Sequence, residues 1–427
     1  MLPYFALERW RRGKHFHGLS QRLGYLPAAV RAPENYESRD GAIWIHAVSV
    51  GEVLGALPLA RKLKEQFPGR RLVISTTTPT GQAMARERVT FADAIFYFPL
   101  DWPGPVARAF RAVQPALVVI VETEIWPNFL RAARRRRVPV VFVNGRISER
   151  SFTRTRRFHG VVGGFVERVL ADADAYLMQS TDDARRIRLL GAPTERVEVT
   201  GNLKYDVTPP QGGALLAWLE QQMREQERWP VIVAGSVVAD EEEEVLAAFD
   251  VVQRKWRHAL LVLAPRKPER FDGAARIAEE RGWKVVRRGR IDLGAPLDEA
   301  ADVLLLDSLG ELAALYSLAD AVFVGGSLVP AGGHNILEPA WFGKPPIFGP
   351  SMENFRQMAV EFMSAGAGVQ VKSSQGLARE WVEQLEDLPR REKMAVAARA
   401  LVERNQGATD RTVERLVAIL DFARGRG

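Results

Sequence analysis

The sequence contains no cysteine among its 427 residues. This absence excludes disulfide bonds, thiolate metal ligands and a cysteine nucleophile, and it fits a reducing compartment such as the cytoplasm. No apolar run reaches the roughly 20 residues that are needed to cross a bilayer. The longest uninterrupted runs, such as residues 116–121, have the length of a strand. The first residues also lack the apolar core of a signal peptide.

Two common nucleotide-binding signatures are missing as well. The chain has no G-x-G-x-x-G motif after its first predicted strand, and it has no P-loop of the form G-x-x-x-x-G-K-[ST]. These motifs place backbone N–H groups against the phosphates of a dinucleotide or a nucleoside triphosphate. Their absence disfavours a dehydrogenase and an NTPase.

The charge balance is basic, with 59 Lys and Arg against 52 Asp and Glu and a net charge of +7. A positive net charge favours binding to nucleic acid, to an anionic membrane face or to phosphorylated substrates. Residues 131–157 hold ten arginines and a single acid, Glu149. No nucleic-acid-binding module is recognisable, so we predict phosphate groups at a lipid surface and no nucleic acid as partner. A solvated basic face is the alternative.

Strand-like and helix-like segments alternate along the chain. In the first half, strands are predicted at residues 42–47, 71–76, 94–97, 117–121, 138–144, 175–179 and 197–199. After a Pro- and Gly-rich stretch at 208–213, further strands are predicted at residues 231–234, 259–264, 284–287, 303–306 and 321–324. This alternation indicates parallel sheets that are covered by helices on both faces. We therefore predict an α/β fold of two Rossmann-like halves joined by a hinge.

The composition divides the chain into three parts. Residues 1–24 are predicted to form a membrane-proximal segment, because aromatic residues there stand next to basic ones. An interfacial helix and a helix packed on its own domain both fit this composition. Residues 25–208 form the first Rossmann-like domain and residues 209–427 the second. The sequence leaves open whether the last helix, residues 408–427, packs back on the first domain.

The loop at residues 325–339 is the clearest candidate binding site. It follows a predicted strand and contains four glycines, whose backbone N–H groups can approach an anion closely. We predict a phosphate site here, with Glu338 accepting hydrogen bonds from a ribose diol. The alternative is a flexible turn with a capping acid.

Three groups of acids need separate interpretations. Asp172 and Asp174 match the D-x-D pattern of metal-dependent sugar transferases, but they more simply end a helix. The run of acids at residues 241–244 predicts a solvated first helical turn, where the helix dipole favours negatively charged side chains. Glu52 stands at a strand-to-helix turn, and by itself it is either a functional carboxylate or an ordinary first-turn acid.

Eight stretches in chain order carry a resemblance to a known family. They are HAVSVGE at 46–52, TTTPTG at 76–81, ETEIWPN at 122–128, NGRIS at 144–148, GNLKYD at 201–206, APRKPERF at 264–271, DSLGEL at 307–312 and GGSLVPAGGHNILEP at 325–339. Together they resemble the Kdo transferases, which add 3-deoxy-D-manno-octulosonic acid (Kdo) to lipid A from CMP-Kdo. The resemblance runs from about residue 20 to the C-terminus.

The resemblance implies the GT-B architecture, with two Rossmann-like domains facing across a cleft. The first domain is expected to bind the acceptor and the second the nucleotide sugar. Glu52 matches the family's general base, and the helix N-terminus is expected to keep it ionised and only modestly basic. The residues expected at the donor CMP-Kdo are Arg266, Gly332, Gly333, Asn335 and Glu338. Contacts to the acceptor or its phosphates are expected from Arg146 and Lys204.

The implied reaction is an inverting transfer of Kdo to the lipid A precursor lipid IVA in lipopolysaccharide core biosynthesis. It is expected to need no cofactor and no metal ion, and to occur at the cytoplasmic face of the inner membrane. Relatives usually begin with a hydrophobic anchoring segment that this chain lacks, so we expect either a shortened start or peripheral attachment. Val238 also stands where relatives often carry a histidine.

Two other functions remain open at the level of the sequence. One is another GT-B transferase that uses a UDP-sugar and a lipid-linked acceptor. The other is a non-enzymatic basic protein that binds nucleic acid or membrane, in which Glu52 and Glu338 have no role.

Overall fold

The computed structural model describes residues 17–32, 41–157, 159–209 and 212–424. Most of the predicted membrane-proximal segment, and residues 210 and 211 of the predicted hinge, lie outside these ranges. The chain divides into two compact units. The first consists of Met1–Val207 and Asn405–Gly427, and the second of Thr208–Arg404.

The first unit is built on a seven-stranded parallel sheet of order β3-β2-β1-β4-β5-β6-β7. Its strands are β1 (Ala42–His46), β2 (Leu72–Thr76), β3 (Ala94–Tyr97), β4 (Pro115–Val121), β5 (Val140–Gly145), β6 (Ala175–Met178) and β7 (Val197–Val199). Its helices are α1 (Leu19–Arg22), α2 (Val50–Gln66), α3 (Pro79–Arg88), α4 (Pro103–Val113), α5 (Pro127–Arg135), α6 (Glu149–Arg157), α7 (His159–Leu170) and α8 (Thr181–Leu189).

The second unit repeats this plan with a seven-stranded sheet of order β10-β11-β9-β8-β12-β13-β14. Its strands are β8 (Val231–Val237), β9 (Leu260–Pro265), β10 (Val285–Arg287), β11 (Val303–Leu305), β12 (Ala321–Val324), β13 (Pro346–Phe348) and β14 (Val369–Gln370). Its helices are α9 (Ala214–Glu225), α10 (Glu242–Lys255), α11 (Phe271–Glu280), α12 (Leu312–Leu315), α13 (Leu337–Trp341), α14 (Arg356–Ser364), α15 (Ser374–Glu386) and α16 (Leu388–Asn405). A last helix, α17 (Ala408–Arg424), follows. The prediction of an α/β fold with two parallel sheets is confirmed.

The central strands of the first sheet are buried on both faces. β4 has the sequence PALVVIV and is buried at every position but one, as expected for a parallel strand between two helical layers. Trp44 of β1 fills one face, with its ring centroid 5.4 Å from that of Phe96, 5.6 Å from Phe110 and 5.1 Å from Phe129. Tilted and edge-on aromatic pairs of this kind add to the area they bury.

The other face of the first sheet is covered by α2 and α17. α2 buries Val53, Ala56, Leu59 and Leu63, which recur at helical spacing. α17 contacts α2, so the last helix lies with the first unit. Asp206 caps the N-terminal end of α17. The two oxygens of its carboxylate accept hydrogen bonds from the backbone N–H groups of Gly407 at 2.7 Å and Thr409 at 2.5 Å. Among the described residues, no helix is both long and apolar enough to span a bilayer.

Each sheet has a switch point, where two neighbouring strands are followed by connections that run to opposite sides of the sheet. In the first sheet, β1 leads outward to β2 and β3, and β4 then pairs with the other side of β1. In the second sheet, β8 pairs with β9 on one side and with β12 on the other. Ligands of open parallel sheets bind beyond the carboxyl ends of the strands at such switch points. Ligand-binding residues are therefore expected in the loops after β1 and β4, and in those after β8 and β12.

Candidate active site

Glu52 lies in the first turn of α2, directly beyond the carboxyl end of β1. Its side chain is nearly buried, at 8% exposure. Oε2 accepts a hydrogen bond from the backbone N–H of Val48 at 2.7 Å, and Oε1 accepts one from the hydroxyl of Ser49 at 2.9 Å. Ser49 is the residue before the helix, and its hydroxyl donates to Glu52 instead of capping a backbone amide. The carboxylate is thus held in one orientation at the first switch point.

Two further carboxylates, Glu122 and Glu124, follow β4 on the other side of the same switch point. Burial, reinforced by the negative charges of Glu122 and Glu124, raises the pKa of Glu52 to about 7, against the opposing hydrogen bonds from Val48 and Ser49. Burial and the charge of Glu122 also raise the pKa of Glu124. Burial and the neighbouring negative charges thus make Glu52 more basic than the helix N-terminus alone would lead one to expect.

The two predicted acceptor residues lie around Glu122. The Nζ atom of Lys204 is 3.6 Å from Oε1 of Glu122. Arg146 follows β5, where its backbone N–H donates to the hydroxyl of Thr123 at 2.9 Å and its carbonyl accepts from that hydroxyl at 2.7 Å. Arg146, Glu122 and Glu124 line one cavity. The structure thus gathers Glu52, Arg146 and Lys204 at one edge of the first sheet, and adds two acids whose part there was not predicted.

His46 opens the first motif but is not placed for proton transfer. It is fully buried, stacks on Phe98 with a centroid distance of 3.8 Å, and its Nδ1 lies 3.0 Å from the hydroxyl of Ser75. Burial lowers its pKa to about 3, so the ring is neutral at physiological pH. Its observed contacts support the end of β1, and Glu52 remains the candidate base.

The second switch point contains the glycine-rich loop and a buried acid, Glu241. Glu241 has no exposed surface. One of its carboxylate oxygens accepts hydrogen bonds from the backbone N–H groups of Gly326 at 2.5 Å and Val238 at 3.2 Å. The other accepts from Ser327 and Leu328, each at 2.7 Å. The backbone cradle that we predicted for a phosphate is therefore occupied by a carboxylate of the protein itself, and the prediction is wrong at Gly326–Leu328.

The prediction of a solvated acidic turn at residues 241–244 is wrong for its first two members. Glu242 is also fully buried and accepts hydrogen bonds from the guanidinium of Arg270 at 2.8 and 3.0 Å. Glu243 alone is exposed. The local sequence predicted a solvated turn, because acids are common in the first turn of a helix. The loop that buries Glu241 is distant in the sequence and gave no local signal.

Gly332 and Gly333 allow the backbone conformation that the loop adopts. Their φ angles are +90° and +75°, which L side chains adopt at a cost. A Cβ at Gly332 would lie 2.4 Å from Nδ2 of Asn354, and one at Gly333 would lie 2.4 Å from Sδ of Met352. The N–H of Gly332 donates to the hydroxyl of Ser351 at 2.9 Å, and that of Gly333 to a carbonyl at 2.7 Å. Both amides that we expected at the donor thus have partners within the unit.

The remaining predicted donor residues come together beyond the ends of β9 and β12. Asn335 Nδ2 donates to Oε1 of Glu338 at 3.3 Å. Burial raises the pKa of Glu338 to about 7, opposed by that hydrogen bond and by the positive charge of Arg266. Burial, together with Arg266, lowers the pKa of His334 to about 4, so the ring is neutral at physiological pH. Its buried Nε2 has no hydrogen-bond partner among the described residues.

The D-x-D acids lie at the opposite, amino-terminal edge of the first sheet. Asp172 accepts hydrogen bonds from Arg131 at 3.0 Å and Arg134 at 2.9 Å. Asp174 accepts the backbone N–H of Val140 at 2.8 Å. These contacts are structural, and they also show that two arginines of the basic run pair with a buried acid.

Two units that are each built on a parallel Rossmann-like sheet are typical of the GT-B fold, and the fold comparison agrees. A UDP-GlcNAc 2-epimerase from Neisseria meningitidis, solved with UDP-GlcNAc bound, matches with a TM-score of 0.59 at 14% identity, covering 88% of this chain and 100% of that one. An Anabaena protein in complex with UDP-glucose matches with a TM-score of 0.57 at 15% identity, covering 89% of this chain and 99% of that one. The chain has the GT-B fold.

The sequence comparisons identify the family within this class. Residues 17–207 match the family model of the 3-deoxy-D-manno-octulosonic-acid transferases (kdotransferases). The 3-deoxy-D-manno-octulosonic acid transferase of Haemophilus influenzae is 33% identical over 99% of this chain and 96% of its own length. The enzyme of that name from Bordetella pertussis is 34% identical over 97% of this chain and 96% of its own. The chain belongs to the Kdo transferase family and is a glycosyltransferase.

Proposed function

We propose that the protein transfers Kdo from CMP-Kdo to the lipid A precursor lipid IVA, in the assembly of the lipopolysaccharide core. The family relation supports the transferred sugar. The observation that supports the catalytic role is the position of Glu52: a nearly buried, hydrogen-bonded carboxylate with a pKa of about 7 at the switch point of its sheet. A general base works best when its pKa lies near the operating pH.

In the proposed reaction, Glu52 accepts the proton of an acceptor hydroxyl while that oxygen attacks the anomeric carbon of Kdo. The new carbon–oxygen bond forms as the bond to the phosphate oxygen breaks, and CMP leaves from the opposite face with inversion. A phosphate leaving group carries its own negative charge, so this step needs no second carboxylate as acid. The proposal includes no cofactor and no metal ion.

The donor site is proposed around Arg266, His334, Asn335 and Glu338. Arg266 is exposed beyond β9 and supplies positive charge for a phosphate or a carboxylate. The unpartnered Nε2 of His334 is available to a ligand oxygen or hydroxyl. Glu338 and Asn335, which are hydrogen-bonded to each other, are proposed to bind hydroxyls of the ribose. The acceptor site is proposed around Arg146 and Lys204, with the protein bound peripherally at the cytoplasmic face of the inner membrane.

The pH dependence of turnover tests the proposed base. Glu52 must be ionised to accept a proton, so kcat/KM should fall about tenfold per pH unit below pH 7 and level off above it, following its pKa of about 7. The hydroxyl of Ser49 donates to the ionised carboxylate and lowers that pKa. Ser49→Ala should therefore move the acid limb to higher pH. A limb that stays in place, or moves to lower pH, would contradict the assignment.

Nucleotide-dependent thermal stability distinguishes the proposed donor from the UDP-sugar alternative. A ligand that binds only the folded protein raises its melting temperature. CMP is expected to raise it, and UDP at the same concentration to have little effect. Glu338→Gln should reduce the CMP shift because it removes the carboxylate proposed to bind the ribose. Stabilisation by UDP alone would favour the alternative transferase.

A further inference from the structure

A cavity of about 430 Å³ lies within the first unit, beside Glu122 and Glu124. We name it the β4–β5 cavity, because the segments after these two strands form part of its wall. α6, α7 and Leu190, which follows α8, complete the wall. Its volume is within the range of roughly 300–1,000 Å³ that is typical of ligand pockets. The mechanism proposed above leaves most of this cavity unused.

The side chains that line the β4–β5 cavity differ in polarity according to their burial. The three least exposed, Ile147, Val169 and Leu190, are each 5% exposed and all aliphatic. Sugar hydroxyls would find no hydrogen-bond partner on these side chains, and burying them there would be costly. The wall also includes Phe165, a large aromatic residue that is 55% exposed. An apolar surface of this kind is stabilised when an apolar ligand covers it.

The partly exposed lining residues are suited to the polar part of the same ligand. Arg146 offers a guanidinium to an anionic group, and Ser151 and Thr155 of α6 offer hydroxyls. Glu122 forms an ion pair with Lys204 at 3.6 Å. Burial, together with the charge of Glu122, raises the pKa of Glu124. The cavity as a whole therefore matches an amphipathic ligand with an anionic head.

We propose that the β4–β5 cavity receives one fatty acyl chain of the acceptor, with the acceptor's anionic sugar at Arg146. The inference rests on the proposed function in one respect, that the acceptor is a phosphorylated lipid. Glu122 and Glu124 line the cavity and also act electrostatically on Glu52. A chain anchored in the cavity would hold the sugar hydroxyl beside the base, and this gain in orientation would favour acylated acceptors over bare saccharides.

The test compares two monosaccharide probes below their micelle concentration: glucosamine 1-phosphate carrying an N-myristoyl chain, and its N-acetyl counterpart. Titration calorimetry on the full chain should show about tenfold or more tighter binding of the myristoyl probe, as expected for burying several methylene groups. Val166→Trp fills the cavity from α7 and should bring the ratio of the two affinities close to one. Val251→Trp places the same bulk on an exposed helix position of the second unit and should leave the ratio unchanged.

A second variant guards against misfolding of the first. Phe165→Ala removes an exposed side chain from the wall and should lower the ratio about threefold. A wild-type ratio near one, or an unchanged ratio in either folded cavity variant, overturns the proposal. Those results would indicate that the cavity holds water or the sugar only, and no acyl chain. Kdo transfer by the wild type is scored separately, so transfer without chain selectivity refutes the cavity assignment, and chain selectivity without transfer refutes the enzymatic one.

Discussion

Glu52→Gln is expected to reduce Kdo transfer by about 10²- to 10⁴-fold while leaving the binding of CMP unchanged. Glutamine keeps the size of the side chain and can still accept the hydrogen bond from Val48, but it cannot accept a proton at neutral pH. General base catalysis contributes about 10²- to 10⁴-fold, so kcat should fall by about that factor. The measurement is single-turnover release of CMP from CMP-Kdo in the presence of lipid IVA.

Two controls separate loss of the base from loss of structure. CMP should raise the melting temperature of Glu52→Gln as much as that of the wild type, because the proposed donor residues belong to the second unit. Glu65→Gln, at an exposed position near the other end of α2, should retain full activity. Near-normal turnover by Glu52→Gln would remove this residue from the mechanism.

Glu241→Gln is expected to destabilise the second unit and to weaken donor binding. The carboxylate accepts four backbone hydrogen bonds with its two oxygens, whereas a side-chain amide turns its NH₂ group toward two of the same donors. Each buried donor left without a partner costs about 1–3 kcal/mol, so we expect a loss of about 2–6 kcal/mol in the free energy of unfolding. Denaturant unfolding followed by the fluorescence of a tryptophan in the second unit measures it.

The matched control for this prediction is Glu243→Gln. Glu243 lies in the same acidic run but is exposed, so its neutralisation should change the free energy of unfolding by less than about 0.5 kcal/mol. The distorted loop of Glu241→Gln should also raise the KM for CMP-Kdo more than it lowers kcat. Equal stability of the two variants would mean that the backbone cradle does not depend on its carboxylate.

Twelve of the fourteen strands in the described residues were predicted, because each is a short apolar run that can be recognised locally, whereas the very short β13 and β14 were not predicted. β4, a run of β-branched and other apolar residues bounded by polar ones, is recognisable without any knowledge of its neighbours. The order of the strands is not local. That β4 pairs with β1, and β12 with β8, depends on contacts between distant segments, so the two switch points could not be placed from the sequence.

The same difference decides which parts of the site could be predicted. Glu52 was recognisable from its strand-to-helix turn and its motif. Its raised pKa, however, comes from burial and from the charges of Glu122 and Glu124, which lie near it only because β4 pairs with β1. Glu241 was misread because its hydrogen-bond partners in the loop are 85 to 87 residues away. A buried acid of this kind has a local sequence pattern that matches a solvated helix start.

The central claim, transfer of Kdo from CMP-Kdo to a lipid A precursor, is tested most directly by the mass of the lipid product. Purified protein is incubated with lipid IVA and with CMP-Kdo generated in the same vessel, and the lipid is extracted for mass spectrometry. The proposed function predicts a lipid heavier by one or more Kdo residues, and mostly starting material with Glu52→Gln. Unchanged lipid IVA after incubation with folded wild-type protein would contradict it. So would modification only when a UDP-sugar replaces CMP-Kdo.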